Sequence, residues 1–253
     1  MNVSNATSIP LTGLAHMHEV KPMKTLNIVL PVKDQRLEGF LSHPRDAKGL
    51  VIFAHGSGSS RFSTRNQQVA QFLQSRGYAT LLFDLLSRAE EDIDAITGLL
   101  RFDIPLLSER LYEATRWLLT QPQALGLPLA FFGASTGAAA ALQATSRLTD
   151  NVRCVISRGG RPDLAEKALP LVTCPVLLIV GELDQTVLDL NQRAKQLLTH
   201  STCELKIVRQ ASHLFEEPGA LEQVAHLSAD WLDQYCAPLP QAHSTDRMQN
   251  IRT

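Results

Sequence analysis

A serine between two glycines is the residue of this chain whose setting most directly implies chemistry. It is Ser135, at the centre of Gly133-Ala134-Ser135-Thr136-Gly137, a G-x-S-x-G pentapeptide. A serine hydroxyl is a poor nucleophile at neutral pH and needs a base to take its proton and a third group to orient that base. Two candidates follow downstream: Asp184, ending Gly181-Glu182-Leu183-Asp184, and His213, in Ser212-His213-Leu214. We expect Ser135, His213 and Asp184 to act as nucleophile, base and orienting acid. Taken singly, Asp184 also reads as a cap on the helix that follows it, and His213 as a surface loop residue.

A nucleophile of this kind makes a tetrahedral oxyanion that needs hydrogen-bond donors. The turn His55-Gly56-Ser57-Gly58 is suited to present backbone N–H groups, and the N–H groups of Ser57 and Thr136 are the expected pair. Such a glycine-rich loop can also cradle a phosphate, but this one lacks the Gly-Lys-Ser/Thr ending of a P-loop. Gly56 and Arg61 are expected to face the substrate. Arg61 and Arg158, each beside the carboxyl end of a strand, are placed to meet a carboxylate or polar substrate group, or to pair with Asp84, Asp103 or Asp163. The segment 85–107 is long and mixed in character, which suggests a lid. Its Ile93, Ile96, Leu99, Leu100 and Phe102 are expected to line the pocket, or else to pack a helix onto the core.

These residues must be positioned by strands alternating with helices. Leu26 to Val32 and Leu37 to Ser42 read as an antiparallel hairpin. Gly49 to Ala54, Ala79 to Phe83, Leu127 to Phe132, Val152 to Ser157, Pro175 to Val180 and Cys203 to Val208 read as further strands. Helices are expected from Asn66 to Arg76, Phe102 to Leu119, Thr136 to Thr145, Leu188 to Leu198 and Ala220 to Tyr235, with a short one after Pro162. The apolar run before Ser135 and the Ala-rich run after it force a sharp turn at Gly133 to Gly137. The expected architecture is α/β: a mostly parallel central sheet with an antiparallel N-terminal hairpin and helices on both faces, in one domain over 25–236. The segments 1–24 and 237–253 are expected to be disordered tails.

Composition narrows the function classes. The 253 residues are 44% hydrophobic and 19% charged with a formal net charge of -1. That balance argues against a nucleic-acid surface, and no stretch approaches the ~18 apolar residues of a membrane span. The N-terminus does not read as a secretory signal, so a cytoplasmic address is expected. Cys154, Cys174, Cys203 and Cys236 lie far apart with no C-x-x-C pair, so neither zinc nor a disulfide framework is indicated. No metal or organic cofactor is called for. The expected partner is a small-molecule ester or lactone, and the chain is expected to be a monomer or small homo-oligomer.

Several strings resemble the α/β-hydrolase fold, and more narrowly its dienelactone-hydrolase-like branch: A-H-G-S-G-S-S-R followed by Arg65-Asn66, A-T-L-L-F-D-L-L, L-R-F-D-I, S-R-G-G-R-P-D-L and S-H-L-F-E-E-P-G. The match runs from about Leu26 to Tyr235. It is similar in particular to the hydrolase half of proteins that fuse this domain to a phosphoribosyltransferase, of which no transferase portion is expected here. The fold uses the chain order Ser, Asp, His. Dienelactone hydrolases themselves carry a cysteine nucleophile where Ser135 stands. The resemblance therefore implies a serine-dependent carboxylic ester or lactone hydrolase. Alternatives are an esterase opening a macrolide lactone in antibiotic resistance, an acyltransferase or perhydrolase with a different acceptor, and a non-catalytic ligand-binding member of the fold.

Overall fold

A computed structural model describes residues 23–236. The tails expected over 1–24 and 237–253 therefore lie outside the described residues, apart from Met23 and Lys24, which begin the first strand. That strand, β1 (Met23–Val32), pairs antiparallel with β2 (Gln35–Pro44) in a hairpin longer than its apolar pattern suggested. Then come β3 (Leu50–Ala54), β4 (Ala79–Phe83), β5 (Leu129–Ala134), β6 (Val152–Arg158), β7 (Val176–Gly181) and β8 (Cys203–Val208).

The eight strands form one sheet in the order β1-β2-β4-β3-β5-β6-β7-β8. From β4 to β8 the neighbours are parallel, while β2 meets β4 antiparallel. Strands β3, β4, β5 and β7 are buried along their whole length, because a parallel sheet carries helices on both faces. One layer holds α1 (Thr64–Ser75) and α6 (Ala220–Tyr235), packed on Val51, Phe53, Phe132, Cys154 and Ile156. The other holds α3 (Ile104–Leu118), α4 (Thr136–Thr145) and α5 (Gln185–Leu197), with Leu111, Ala140 and Ala194 against Ile52, Phe131 and Val155. Strand β3 lies between β4 and β5, so the chain reverses its direction of sheet growth there. Its exit loop leads to α1 in one layer, and the exit from β5 leads to α4 in the other. Crevices at such a switch point are where open α/β sheets bind ligands.

The segment 85–107 is helical rather than irregular. It contains α2 (Arg88–Thr97), a 3-10 turn (Leu100–Phe102) and the start of α3. Ser87 and Glu90 form a reciprocal capping box at the start of α2, and Gly98, at φ 65°, closes it. Among the described residues no helix is long and apolar enough to cross a membrane.

Candidate active site

Strand β5 delivers Ser135 into a tight turn. Its backbone sits at φ 51° and ψ -121°, a strained conformation for a residue with a side chain. Three backbone hydrogen bonds hold it there: Ser135 donates to the Arg158 carbonyl at 3.2 Å, and its own carbonyl accepts from Ala138 and Arg161, each at 3.1 Å. Both glycines of the pentapeptide are required by close approach. A Cβ at Gly133 would lie 2.4 Å from Ala138 Cα, and one at Gly137 would lie 2.2 Å from the Ala54 carbonyl oxygen. Helix α4 can thus start directly off the strand, and its Thr136 N–H is among those without an intrahelical partner.

Asp184 stands at the N-cap position of α5 but makes no side-chain cap bond. Its Oδ2 instead lies 2.5 Å from His213 Nδ1. With Nδ1–H donating to this carboxylate, Nε2 is left as the imidazole's acceptor. The two loops meet because Gly181 permits it. A Cβ there would lie 2.3 Å from the Ala211 carbonyl oxygen, and Leu183 N–H donates to that same carbonyl at 2.9 Å. Hydrogen bonds from Ser212 to Glu217 hold the Glu217 carboxyl below its ordinary range and tie down the turn around His213. On its other side the imidazole faces Gly159, where a Cβ would lie 3.5 Å from His213 Cε1. Gly159 follows Arg158, the residue bonded to Ser135. Ser135, His213 and Asp184 thus converge on the carboxyl ends of β5, β6, β7 and β8.

The turn after β3 closes on the same point. A Cβ on Gly56 would be 3.1 Å from Ser135 Cβ and from the Ala134 carbonyl oxygen, so this loop packs tightly against the serine. His55 is a clamp. Its Nε2 accepts from Leu85 N–H at 3.0 Å and its Nδ1 donates to the Gly56 carbonyl, also at 3.0 Å, tying the loop after β3 to the loop after β4. Burial holds its pKa below the usual histidine value, so it stays neutral.

A cavity of about 270 Å³ opens between this turn and α2, lined by His55, Gly56, Ser57 and Leu86 together with the charged Glu91, Asp94 and Arg101. Burial, with Asp84 nearby, pushes the Glu91 carboxyl up. The five apolar side chains expected on the pocket wall sit elsewhere. Ile93, Ile96, Leu99 and Phe102 are exposed, Ile96 at 88%, and Leu100 packs against the core. The reason lies in α2, whose inner face is polar. Asp94 is buried there because it accepts from Arg101 Nε at 2.6 Å and from Arg101 N–H at 3.0 Å. Arg101 went unread in the sequence, although Ser87-x-x-Glu90 and Gly98 signal the helix that positions it. Arg61 lies just outside this cavity. Its backbone N–H and guanidinium both bind Asp84, a second nitrogen meets Glu38 at 2.5 Å, and Phe62 packs 4.4 Å away. Its guanidinium therefore fixes the loop, as the pairing alternative had it. Among the described residues no group of three or more His, Cys, Asp or Glu is placed to hold a metal ion.

The sheet order, the elbow at Ser135 and the Asp, then His order of the later loops define an α/β-hydrolase fold. Residues 37–235 match the model of the Dienelactone hydrolase family, and the chain belongs to that family. It is 50% identical to a crystallised dienelactone hydrolase from Anabaena variabilis, with a TM-score of 0.83 covering 85% of this chain and 99% of that one. An esterase of Pyrococcus furiosus shares the fold, with a TM-score of 0.70 at 16% identity over 85% of this chain and 92% of its own. Two curated Mycobacterium tuberculosis proteins, from strains CDC 1551 / Oshkosh and H37Rv, are each named "Putative phosphoribosyl transferase" and are 51% identical over 220 residues. The match takes in 83% of this chain and 48% of each of theirs, so the chain spans about half the length of the curated relatives it matches.

Proposed function

We propose that this chain is a serine hydrolase that cleaves a carboxylic ester or lactone through an acyl-enzyme on Ser135. The reading is carried by the strained Ser135 elbow, held by the Arg158 carbonyl, together with an imidazole that is bonded to Asp184 and lies against the next residue, Gly159. His213 Nε2 takes the Ser135 proton as Oγ attacks the substrate carbonyl. Asp184 holds the ring in the required tautomer and stabilises the imidazolium. The N–H groups of Ser57 and Thr136 receive the oxyanion. His213 then protonates the departing alkoxide, deprotonates an incoming water, and the acyl group leaves as a carboxylic acid with Ser135 restored.

The cavity beside Ser57 supports a small acyl or leaving group with polar substituents, because Glu91, Asp94, Arg101 and three serine hydroxyls surround it. A macrolide ring exceeds about 270 Å³ and would have to lie mostly outside it. The test is a panel of short-chain esters, small lactones and a macrolide, run on the wild type and on Ser135→Ala, with product partition measured in water, alcohol and peroxide. Hydrolysis that disappears in Ser135→Ala supports the reading. A rate unchanged in that variant contradicts it, and a product dominated by the alcohol or peroxide adduct reassigns the chain as an acyltransferase or perhydrolase.

A further inference from the structure

The cavity of about 270 Å³ beside the oxyanion turn holds an unbalanced charge. Its charged lining is Glu91, Asp94 and Arg101. The last two neutralise each other. Arg101 Nε donates to Asp94 Oδ2 at 2.6 Å, its backbone N–H to Oδ1 at 3.0 Å, and its Nη2 to the Asp94 carbonyl at 2.7 Å. His55, also in the lining, is kept neutral by burial. Glu90, next in sequence, bonds Arg110 at 2.7 Å and the Ser87 N–H at 2.8 Å. Glu91 has no counterpart to these contacts: among the described residues its carboxylate takes part in no hydrogen bond and no ion pair. The lining is therefore left with one net negative charge.

The cations nearest to Glu91 do not balance it. Arg61 is bound to Asp84 and Glu38. Arg88 lines a second cavity of about 150 Å³, which shares only Ser60, Leu86 and Glu91 with the first. Burial first, and then the Asp84 charge, hold the Glu91 carboxyl above its ordinary range, and Arg61 and Arg88 offset this only in part. An opposite charge brought against such a carboxylate favours its ionised form.

Glu91 is also well placed. Helix α2 starts with a capping box, and the Glu91 N–H donates to the Ser87 carbonyl at 2.8 Å, so the carboxylate is carried on a fixed element. Gly56 and Ser57 line the same cavity, and a Cβ on Gly56 would meet Ser135 Cβ at 3.1 Å, so the cavity adjoins the nucleophile. Leu86, Ala95 and Leu107 offer apolar surface to a carbon chain, and the serines of the turn offer hydroxyl acceptors.

Resting on the reading of Ser135 as the nucleophile, we propose that the substrate carries a protonated amine, on the acyl or the alcohol side of its ester, and that Glu91 receives this amine in the cavity. The ammonium N–H donates to the carboxylate in a charge-assisted hydrogen bond. A neutral hydroxyl in the same place leaves the charge of Glu91 unbalanced, and a carboxylate is repelled by it.

Two measurements test this. In the first, kcat/KM at pH 7 is compared within two pairs of esters that exchange a protonated nitrogen for a CH, each rate being divided by that ester's hydroxide-catalysed rate. The pairs are 2-(dimethylamino)ethyl acetate with 3-methylbutyl acetate, and ethyl 4-(dimethylamino)butyrate with ethyl 5-methylhexanoate. Wild type should prefer the amine by about tenfold or more in one pair, and that pair identifies the side of the ester that enters the cavity. Glu91→Gln should bring the ratio toward one. No preference for the amine in either pair, or a preference that survives Glu91→Gln, overturns the proposal. In the second, Ser135→Ala protein is melted with either amino ester or with sodium chloride at the same ionic strength. A rise in Tm above the salt control that Glu91→Gln removes supports the site, and no rise, or one that Glu91→Gln keeps, overturns it. The two readings fail separately: hydrolysis of both members of each pair at equal rates sinks only the amine site, whereas a Glu91-dependent rise in Tm with no hydrolysis of any ester sinks only the hydrolase.

Discussion

Replacing Arg158 with methionine should make the protein more stable. In the unfolded chain its guanidinium keeps its proton to the usual very high pH of an arginine, whereas burial and Arg65 lower that to about 10 in the fold. Between those two pH values the unfolded state binds more protons, so stability rises with pH across that window. Below it both states are charged and the full penalty is present, including at pH 7.5. The fall to about 10 corresponds to on the order of 3 kcal/mol. Methionine keeps most of the apolar stem and removes the charge, and replacing buried charges by apolar groups of similar volume is often neutral or stabilising by ~1–4 kcal/mol. For a chain of this size a gain of about 1–3 kcal/mol raises Tm by roughly 2–10 °C. Thermal and urea unfolding in Tris chloride, free of carboxylates and phosphate, would measure it. A Tm that falls by several degrees in Arg158→Met would refute the reasoning, because it would mean the guanidinium has a structural partner.

Three further outcomes follow from the site. Gly137→Ala places a methyl 2.2 Å from the Ala54 carbonyl oxygen and 2.4 Å from that of His55, so either the elbow or the turn after β3 must shift. We expect a loss of about 1–3 kcal/mol or more by urea unfolding, together with at least a hundredfold loss of esterase rate. Asp184→Asn should keep the fold, since the carboxylate caps nothing, yet favour the wrong His213 tautomer; steady-state kinetics should show a fall in kcat of about a thousandfold or more. His55 is buried neutral with a lowered pKa, so the unfolded state takes up its proton first as pH falls below about 6.5. Stability should therefore drop from pH 7.5 to pH 5, and His55→Gln should flatten that drop while lowering stability at pH 7.5.

Much of this was legible in the sequence, for identifiable reasons. Helices α4 and α6 fall at Thr136–Thr145 and Ala220–Tyr235, where the Ala-rich run and the apolar spacing put them. The buried strands were continuous apolar runs, and the loops bearing Asp184 and His213 followed them. Helix α2 escaped because its pattern is inverted: Ile93 and Ile96 face solvent, while Asp94 is buried by its bonds to Arg101. Apolar type therefore pointed to the wrong face for the pocket wall. Helix α5 starts at Gln185, three residues before its apolar spacing begins, because the turn at Asp184 is set by the neighbouring loop. The pairing of the arginines could not be read at all. Asp84, Asp103 and Asp163 were equally available to Arg61 and Arg158 in sequence, and only the tertiary arrangement leaves Arg158 without a carboxylate.

The central claim is that Ser135 is an activated nucleophile, and intact-protein mass spectrometry after treatment with a fluorophosphonate tests it most directly. Wild type should gain the mass of one phosphonyl group, and Ser135→Ala should gain none. A folded wild type that gains no mass, or a Ser135→Ala variant that is labelled to the same extent, would contradict the account.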